Sequence, residues 1–242
     1  MGETAIIGAR FNGPPHSGNG GYVCGLVAGL IGGPARVMLK SPPPLETPLN
    51  VERSGDAVRL THDGVVIAEG SAAPPPDVAP PASVSLAAAE AATGYDAPDE
   101  HYFPSCFVCG PDRAEGDGLR IFAGSVDGAD MVASLWRPDD SLAAPDGLVA
   151  GEHVWAALDC PSCFAFRRPD LRVLLGSLTA VVHRRPTPRE TYVVVAWPER
   201  SEGRKHFSAA ALLDAEGEVM ARAQALWIEL KPEAIAAMKA GG

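Results

Sequence analysis

The stretch Gly20–Ile31, GGYVCGLVAGLI, is apolar almost all round and is long for a strand. This pattern predicts a helix that is buried on most of its sides. Its internal glycines, Gly25 and Gly29, lower the helix propensity, but they also permit close packing against a sheet. Four strand-like runs follow, at 35–40, 49–53, 57–61 and 65–72. A hairpin turn at 62–64 separates the last two.

The segment 74–81 is too rich in proline to lie inside a helix or a sheet. It begins a linker in which the alanine-rich run 83–92 can form a short connecting helix. Beyond the linker a second helix is predicted at 152–158, and Pro161 should end or kink it near Asp159. The strands predicted in this half lie at 119–122, 131–136, 175–183, 191–197, 206–213 and 219–230.

The order of one buried helix followed by four strands therefore occurs twice. An early helix followed by an antiparallel meander indicates an α+β fold, in which a curved sheet wraps the helix. A length of 242 residues also favours two domains. We predict an N-terminal domain at 1–73, a linker at 74–101 and a C-terminal domain at 102–242. The two sheets should join edge to edge about a pseudo-twofold axis, which hides two strand edges from solvent.

The composition is that of a soluble globular protein, with 46% hydrophobic and 21% charged residues. The net charge of −10 disfavours nucleic acid and anionic membrane surfaces as partners. No stretch approaches the ~20 apolar residues that span a bilayer. The start of the chain, Met1–Thr4, lacks the pattern of an export signal. We therefore expect a cytoplasmic protein.

Five cysteines in a cytoplasmic chain indicate thiols or metal ligands before disulfides. The pairs Cys106/Cys109 and Cys160/Cys163 can together supply four thiolates to zinc. Their separation in sequence, however, far exceeds the ~15–20 residues usual for such sites. Buried thiols are therefore favoured, no bound metal is expected, and the two pairs are predicted to lie apart. Cys24, within the apolar helix, is assigned to the core.

Four segments resemble the thioesterase-like hotdog families. Residues 11–22, FNGPPHSGNGGY, look like their helix start, a Gly-Gly pair preceded by Asn or His, and 44–49, PLETPL, look like the strand corner that follows. Residues 106–111, CFVCGP, with Gly118-Leu119, are similar to the start of phenylacetate-pathway thioesterases. Residues 153–159, HVWAALD, resemble the acid-bearing helix of double-hotdog acyl-CoA thioesterases of bacterial type. The resemblance implies a tandem double hotdog with one interdomain site and no cofactor.

The resemblance also implies roles for individual residues. Asp159 would be the general base or nucleophile, and the backbone N–H groups of Gly20 and Gly21 would stabilise the oxyanion. The first helix has Ala28 and Gly29 at the corresponding depth, so only one of the two helix crossings carries an acid. The candidate substrate-binding residues are of three kinds. Asn19 precedes the glycine pair, and the hydroxyls of Ser177 and Thr179 alternate along one strand. Arg184 and Arg185 belong to a basic cluster.

Three functions remain open from the sequence. The first is hydrolysis of an acyl-CoA or acyl-carrier thioester, by a chain that can also form a homodimer. The second is an acyl-thioester sensor or binding protein without turnover. The third is a hydratase or dehydratase, which the spacing of His153 and Asp159 disfavours because the two do not share one helix face. Glu152 is an alternative acid, but its place at the helix start favours a capping or solvated role.

Overall fold

The computed structural model of the protein describes residues 2–94 and 101–240. In the first half, the predicted helix is present with the predicted bounds as α1 (Gly20–Ile31). Asn19 caps its start, and Gly32, with a φ of +86°, ends it in the left-handed conformation that glycine favours. The strands of this half are β1 (Thr4–Ile6), β2 (Ala35–Leu39), β3 (Pro48–Ser54), β4 (Ala57–His62) and β5 (Val65–Ala72).

The second half repeats the order of a helical segment followed by four strands. Its helices are α2 (Leu86–Ala92), α3 (Gly151–Ala157), α4 (Asp159–Phe164) and α5 (Pro232–Ala240). Its strands are β6 (Gly124–Ser125), β7 (Val132–Trp136), β8 (Val173–Val182), β9 (Tyr192–Glu202), β10 (Lys205–Leu213) and β11 (Val219–Glu229). Among the described residues, no helix combines the length and apolar character that crossing a membrane requires.

The prediction of a strand at 119–122 is wrong, because this segment is a loop. The N–H of Leu119 donates to the carbonyl of Phe107 at 2.8 Å, and that of Ile121 donates to Val108 at 3.0 Å. These bonds hold the segment against the 106–109 turn, so its alternating apolar residues pack in a loop and the short strand β6 begins only at Gly124.

The described strands form one antiparallel sheet in the order β1-β3-β4-β5-β2-β8-β11-β10-β9-β7-β6. The halves meet where β2 pairs with β8, with Val37 opposite Leu178. The predicted edge-to-edge joining of the two sheets is therefore confirmed. From this junction outward, the strand order is β2-β5-β4-β3-β1 in the first half and β8-β11-β10-β9-β7 in the second. In each half the strand that follows the helix lies at the junction, and the strand that precedes the helix lies farthest from it. β6 is an additional strand at the edge of the second half.

The helices of the two halves touch each other through glycines. A methyl group at Gly21 would overlap Asp159 Cβ, and one at Gly25 would lie 2.5 Å from Glu152 Cα. The expectation that the internal glycines pack against the sheet is thus wrong: Gly25 packs against α3, and Gly29 is exposed with nothing within 4 Å of a built Cβ. Close approach of α1 to α3 and α4 sets the position of Asp159.

Two apolar clusters stabilise the sheet. The larger one lies between the sheet and the helices, and Val27, Leu178 and Leu212 are fully buried in it. The smaller one lies where the 78–92 segment and its helix α2 pack on β7, β9 and β10, burying Val78 and Ala89. The segment after the prolines therefore covers a sheet face that would otherwise expose apolar side chains.

Candidate active site

The break between α3 and α4 creates the site. Proline has no N–H and its ring clashes with the carbonyl four residues earlier, so Pro161 prevents α3 from continuing past Ala157. Leu158 joins the two helices, and α4 starts at Asp159. The predicted kink near Asp159 is confirmed. The chain turns there so that the Asp159 side chain faces the start of α1.

Asp159 is only 2% exposed and is held by two donors from the first half. Its Oδ2 accepts hydrogen bonds from Asn19 Nδ2 and from the backbone N–H of Gly21, each at 2.9 Å. Asn19 is fixed in turn, because its Oδ1 accepts from the N–H of Tyr22 at 2.9 Å. Asp159 Oδ1 is buried and has no hydrogen-bond partner among the described residues. The prediction that Asp159 lies across from the glycine pair is confirmed.

Burial raises the pKa of Asp159 to about 7, although the hydrogen bond from Gly21 favours the charged form and opposes this shift. The desolvation cost outweighs the donors because the carboxyl group lies in the protein interior. A pKa near neutrality makes the protonated and the ionised forms both accessible. This is the property that acid–base chemistry requires.

A second pair of hydrogen bonds fixes the backbone of Asp159. The indole N–H of Trp227 on β11 donates to Ser162 Oγ at 2.9 Å, and this hydroxyl donates to the carbonyl of Asp159 at 2.7 Å. All three residues are buried. Sequence reasoning missed Ser162 and Trp227, because no spacing pattern links a helix hydroxyl to an indole on a strand that follows much later.

Asp159 lines a cavity of about 1160 Å³. Gly20 and Asn19 line the same cavity, together with a mostly apolar wall that includes Leu39, Leu175, Phe103, Phe164 and Trp227. Within the described part of the chain, Asp159 is the one carboxylate on this lining. Four permanently cationic side chains lie on the lining, although the chain has a net charge of −10. They are Lys40, Arg167, Arg168 and Arg172.

Two of these cations are already paired outside the cavity. Arg167 forms an ion pair with Asp130, and Arg168 forms one with Asp170 at 3.2 Å. The guanidinium of Arg172 instead lies 4.8 Å from the ring centroid of Tyr102. Its Nη1 donates to the carbonyls of Pro169 and Leu171, and its other N–H groups remain able to bind an anion. These residues could not be singled out from the sequence, because basic residues in loops carry no signal of the cavity that they border.

Gly20 and Gly21 have different contacts in the site. Gly20 lines the cavity against Leu175 and Leu39, and as the first helical residue it has no intrahelical partner for its N–H. The N–H of Gly21 already donates to Asp159. The expectation that both amides are open to a substrate is therefore wrong for Gly21, whose N–H positions the acid.

Ser177 and Thr179 do not line the cavity, so their predicted role in substrate binding is wrong for this site. Leu178 and Ala180, which flank Thr179, are fully buried on the helix side of the sheet. Thr179 therefore faces the other side, opposite Gln224. Ser177 and Thr179 do alternate onto one side, but a bulge at Gly176 shifts the pattern, so that Leu175 and Leu178 face the helices and the two hydroxyls face away.

Arg184 and Arg185 also lie outside the cavity lining. Arg184 pairs with Asp214 and Arg185 pairs with Asp146. Both arginines follow the end of β8, at the opposite end of that strand from Leu175 and Gly176, which line the cavity. Their predicted role in substrate binding is therefore wrong for this site.

The cysteine pairs, predicted to lie apart, come together on the cavity wall. The sulfurs of Cys106, Cys109 and Cys160 all lie within 4.8 Å of one another, and Cys106 Sγ is 3.7 Å from Cys160 Sγ. That prediction is wrong because the N–H of Phe107 donates to the carbonyl of Asn12 at 2.8 Å, which holds the 106–109 turn beside the start of α1. Cys24 is fully buried in the core, as expected.

His153 occupies a different environment from Asp159. Its ring lies 5.6–5.8 Å from those of Phe11, Tyr22 and Phe107, and it does not line the cavity. Burial lowers the pKa of His153 to about 4, and the positive charge of Arg10 lowers it further. His153 therefore does not form with Asp159 the Asp/His pair that a hotdog hydratase would use.

No protein-family model matches the sequence, and a search of curated proteins finds no match. Solved structures do resemble the fold. A proposed thioesterase from Novosphingobium aromaticivorans has a TM-score of 0.60 at 13% identity, over 94% of this chain and 95% of the other. The tesB protein of Mycobacterium avium subsp. paratuberculosis has a TM-score of 0.56 at 13% identity, over 88% of each chain.

A third similar structure is a protein of unknown function with a hot dog fold from Alicyclobacillus acidocaldarius. Its TM-score is 0.58 at 14% identity, over 95% of this chain and 93% of the other. Identities this low show likeness of fold and nothing finer. The resemblance inferred from the sequence, to thioesterase and hotdog-fold proteins, is confirmed at this level. The chain thus has an α+β architecture of the hotdog type.

Proposed function

We propose that the chain is a tandem double hotdog that hydrolyses acyl-CoA thioesters at one site between its halves. The proposed domains are 1–73 and 102–242, joined by the linker 74–101. The matching strand order on both sides of the β2–β8 junction supports the tandem arrangement. So does the likeness to solved structures over nearly the whole chain. A cytoplasmic location and a homodimer remain predictions.

One observation carries the proposal: a buried carboxylate lines the cavity with one oxygen held by two donors and the other buried without a hydrogen-bond partner among the described residues. Gly21 and Asn19 occupy Oδ2 of Asp159, while Oδ1 has no partner among the described residues. A buried polar atom without a partner is costly, so its presence on a cavity indicates a role there. A water at Oδ1 would restore the missing hydrogen bond.

In the proposed reaction, Asp159 takes a proton from that water as the water oxygen attacks the thioester carbonyl. The carbonyl oxygen becomes negative and is stabilised by the N–H of Gly20 at the positive end of α1. The carbon–sulfur bond then breaks, and the leaving thiolate takes the proton back from Asp159. Free acid and thiol are released, and Asp159 returns to its ionised form.

The cavity lining supports acyl-CoA as the substrate. Its apolar wall, with Leu39, Leu175 and Phe164, suits an acyl chain. Lys40 and Arg172 suit the phosphates of the CoA moiety, because both are cations on the cavity lining and hydrogen bonds from cations to phosphate are strong. In this proposal the phosphates lie towards the exposed cations and the thioester lies at Asp159.

A second candidate is an acyl-thioester binding protein without turnover. Its support is that the hydroxyls of Ser177 and Thr179 are absent from the cavity and that the N–H of Gly21 is not open to an oxyanion. Asp159 would then contribute polarity to the pocket without acting on water.

A panel of acyl-CoA thioesters separates the two functions. Short, medium, long and aromatic acyl groups are incubated with the full chain, and released thiol is detected while binding is measured by calorimetry. Hydrolysis predicts saturable thiol release with at least one acyl class. Binding without release across the panel would contradict hydrolysis and favour the binding protein, and the absence of both would contradict the two proposals.

A further inference from the structure

We propose that Cys106, Cys109 and Cys160 form a binding site for zinc or a similar thiophilic divalent metal on the cavity wall. The sequence favoured buried thiols without metal, on the ground of the long separation between the two Cys pairs. That spacing rule describes compact modules in which one short loop carries the ligands. Here the fold, and not a loop, brings the three sulfurs together.

The distances between the sulfurs match those of a metal-thiolate site. Thiolates bind zinc at about 2.3 Å in a tetrahedron, which places two such sulfurs roughly 3.8 Å apart. Cys106 Sγ and Cys160 Sγ are 3.7 Å apart, and Cys109 Sγ completes a triangle with all three within 4.8 Å. A disulfide would require a separation of about 2.05 Å, and none of the three cysteines is in a disulfide in the described structure.

The 106–109 turn presents its sulfurs in the way that metal-binding turns do. Cys106 Sγ accepts hydrogen bonds from the backbone N–H groups of Val108 and Cys109. Gly110 closes the turn with an N–H that donates to the carbonyl of Cys106 at 2.8 Å, and a Cβ at Gly110 would lie 2.6 Å from Cys106 N. Only glycine fits this turn. Backbone donors to sulfur stabilise the thiolate that a metal binds.

A side-chain donor faces the other side of the cluster. Asn19 Nδ2 lies 3.9 Å from Cys106 Sγ and 3.8 Å from Cys160 Sγ. The same nitrogen donates to Asp159, so Asn19 connects the cysteine cluster to the acid. All three cysteines are at least nine-tenths buried, which protects thiolate–metal bonds from solvent.

The proposed site has three protein ligands. Cys163 lines the same cavity, but its sulfur is not part of the group in which all ligand atoms lie within 4.8 Å. A zinc with three protein ligands keeps a fourth position for water or another small ligand. The bound metal would tie the 106–109 turn to α4 beside Asp159. This proposal does not depend on thioester hydrolysis, and its test measures binding alone.

The test uses the full chain, kept reduced with a phosphine, stripped with a chelator and titrated first with Co²⁺ and then with Zn²⁺. The expected result is one equivalent of cobalt per chain with a thiolate-to-cobalt charge-transfer absorption, which zinc abolishes by displacement. Cys106→Ser and Cys160→Ser should each weaken cobalt binding by about 100-fold or more. Cys24→Ala and Cys163→Ser are the matched controls and should bind as the unsubstituted chain does.

Absence of the charge-transfer absorption in the unsubstituted chain would overturn the proposal. So would unchanged affinity in Cys106→Ser, or loss of binding in Cys24→Ala. Loss in Cys163→Ser would overturn the assignment of three ligands. If the serine variants do not fold, the unsubstituted chain still decides the matter: its Tm should rise with zinc over that with chelator, because a ligand that binds the folded state stabilises it. An unchanged Tm would count against the site.

Discussion

Asp159 and His153 are both buried titratable residues of the same helical segment, and they differ in what surrounds them. Asp159 meets two donors and lines a cavity, and its second oxygen has no hydrogen-bond partner among the described residues. His153 is packed among the rings of Phe11, Tyr22 and Phe107, and its Nδ1 has no partner in the described structure. Burial favours the neutral form of each, so it raises the pKa of one and lowers that of the other. A shifted pKa therefore identifies a functional group only where donors and access accompany it.

The two helix starts differ in the same way. Asn19 caps α1 with its side chain, whereas Ala150 at the start of α3 provides no side-chain cap. Ala28 occupies the place in α1 that Asp159 occupies relative to the start of α3. One crossing therefore has Asp159, a capped helix start and a cavity, and the other has Ala28 in place of the aspartate. This asymmetry supports the proposal of a single site per chain.

The largest expected effect is on turnover. Asp159→Asn preserves shape but cannot take a proton, so kcat for acyl-CoA hydrolysis should fall by roughly 10²–10⁴ with little change in KM. Glu152→Gln is the matched control, since Glu152 does not line the cavity, and it should keep its turnover. Steady-state kinetics with thiol detection measures both. Equal losses in the two variants would contradict the distinction between the acids.

The second effect is on stability at low pH. The folded-state pKa of His153 is about 4, below its unfolded value near 6.5. The unfolded chain thus binds more protons between these values. Stability should be complete above pH 6.5 and fall by about 2–3 kcal/mol as the pH drops towards 4. Urea unfolding of the unsubstituted chain and of His153→Gln at several pH values checks this, and the variant should lose that part of the pH dependence. Parallel pH curves would contradict it.

The third effect separates the glycines of α1. Gly21→Ala places a methyl group over Asp159 Cβ and 2.9 Å from the carbonyl oxygen of Trp155. It should lower the free energy of unfolding by about 1–3 kcal/mol and reduce turnover by displacing Asp159. Gly29→Ala meets nothing within 4 Å and should raise that free energy by up to about 1 kcal/mol. Denaturant unfolding of both variants is the measurement, and a stable, active Gly21→Ala would contradict the close helix contact.

The smallest effect concerns the cations. Arg172→Gln should raise KM for acyl-CoA about fivefold, because a partly exposed charge contributes up to about 1 kcal/mol. Arg184→Gln removes a charge whose partner is Asp214, outside the cavity, and should leave KM unchanged. Kinetics at two salt concentrations measures both variants. A larger change in Arg184→Gln than in Arg172→Gln would place the CoA moiety elsewhere.

Local pattern was enough to predict α1 with its bounds, the kink at Asp159 and the junction of the two sheets. These features depend on apolar periodicity, on proline and on strand order. Ser177 and Thr179 were misassigned because a bulge in β8 interrupts the alternation that the prediction assumed. Such a bulge has no signal in the sequence beyond Gly176.

The cysteine cluster and the cationic lining were missed for a different reason. Cys106 and Cys160 meet through the packing of a loop against a helix break, and Arg172 borders a cavity that several segments enclose. The spacing of residues along the chain does not predict long-range packing of this kind. Asn19 was singled out only through its place before the glycine pair, and its contact with Asp159 also depends on the approach of the two helices.

The most direct measurement is a crystal structure of Asp159→Asn with an intact acyl-CoA. The account predicts that the acyl chain lies in the cavity between Leu175 and Phe164, with the thioester beside the side chain at position 159. The thioester oxygen should lie about 3 Å from the N–H of Gly20, and the CoA phosphates should lie near Arg172. An acyl chain bound outside this cavity, or a thioester remote from position 159, would contradict the account.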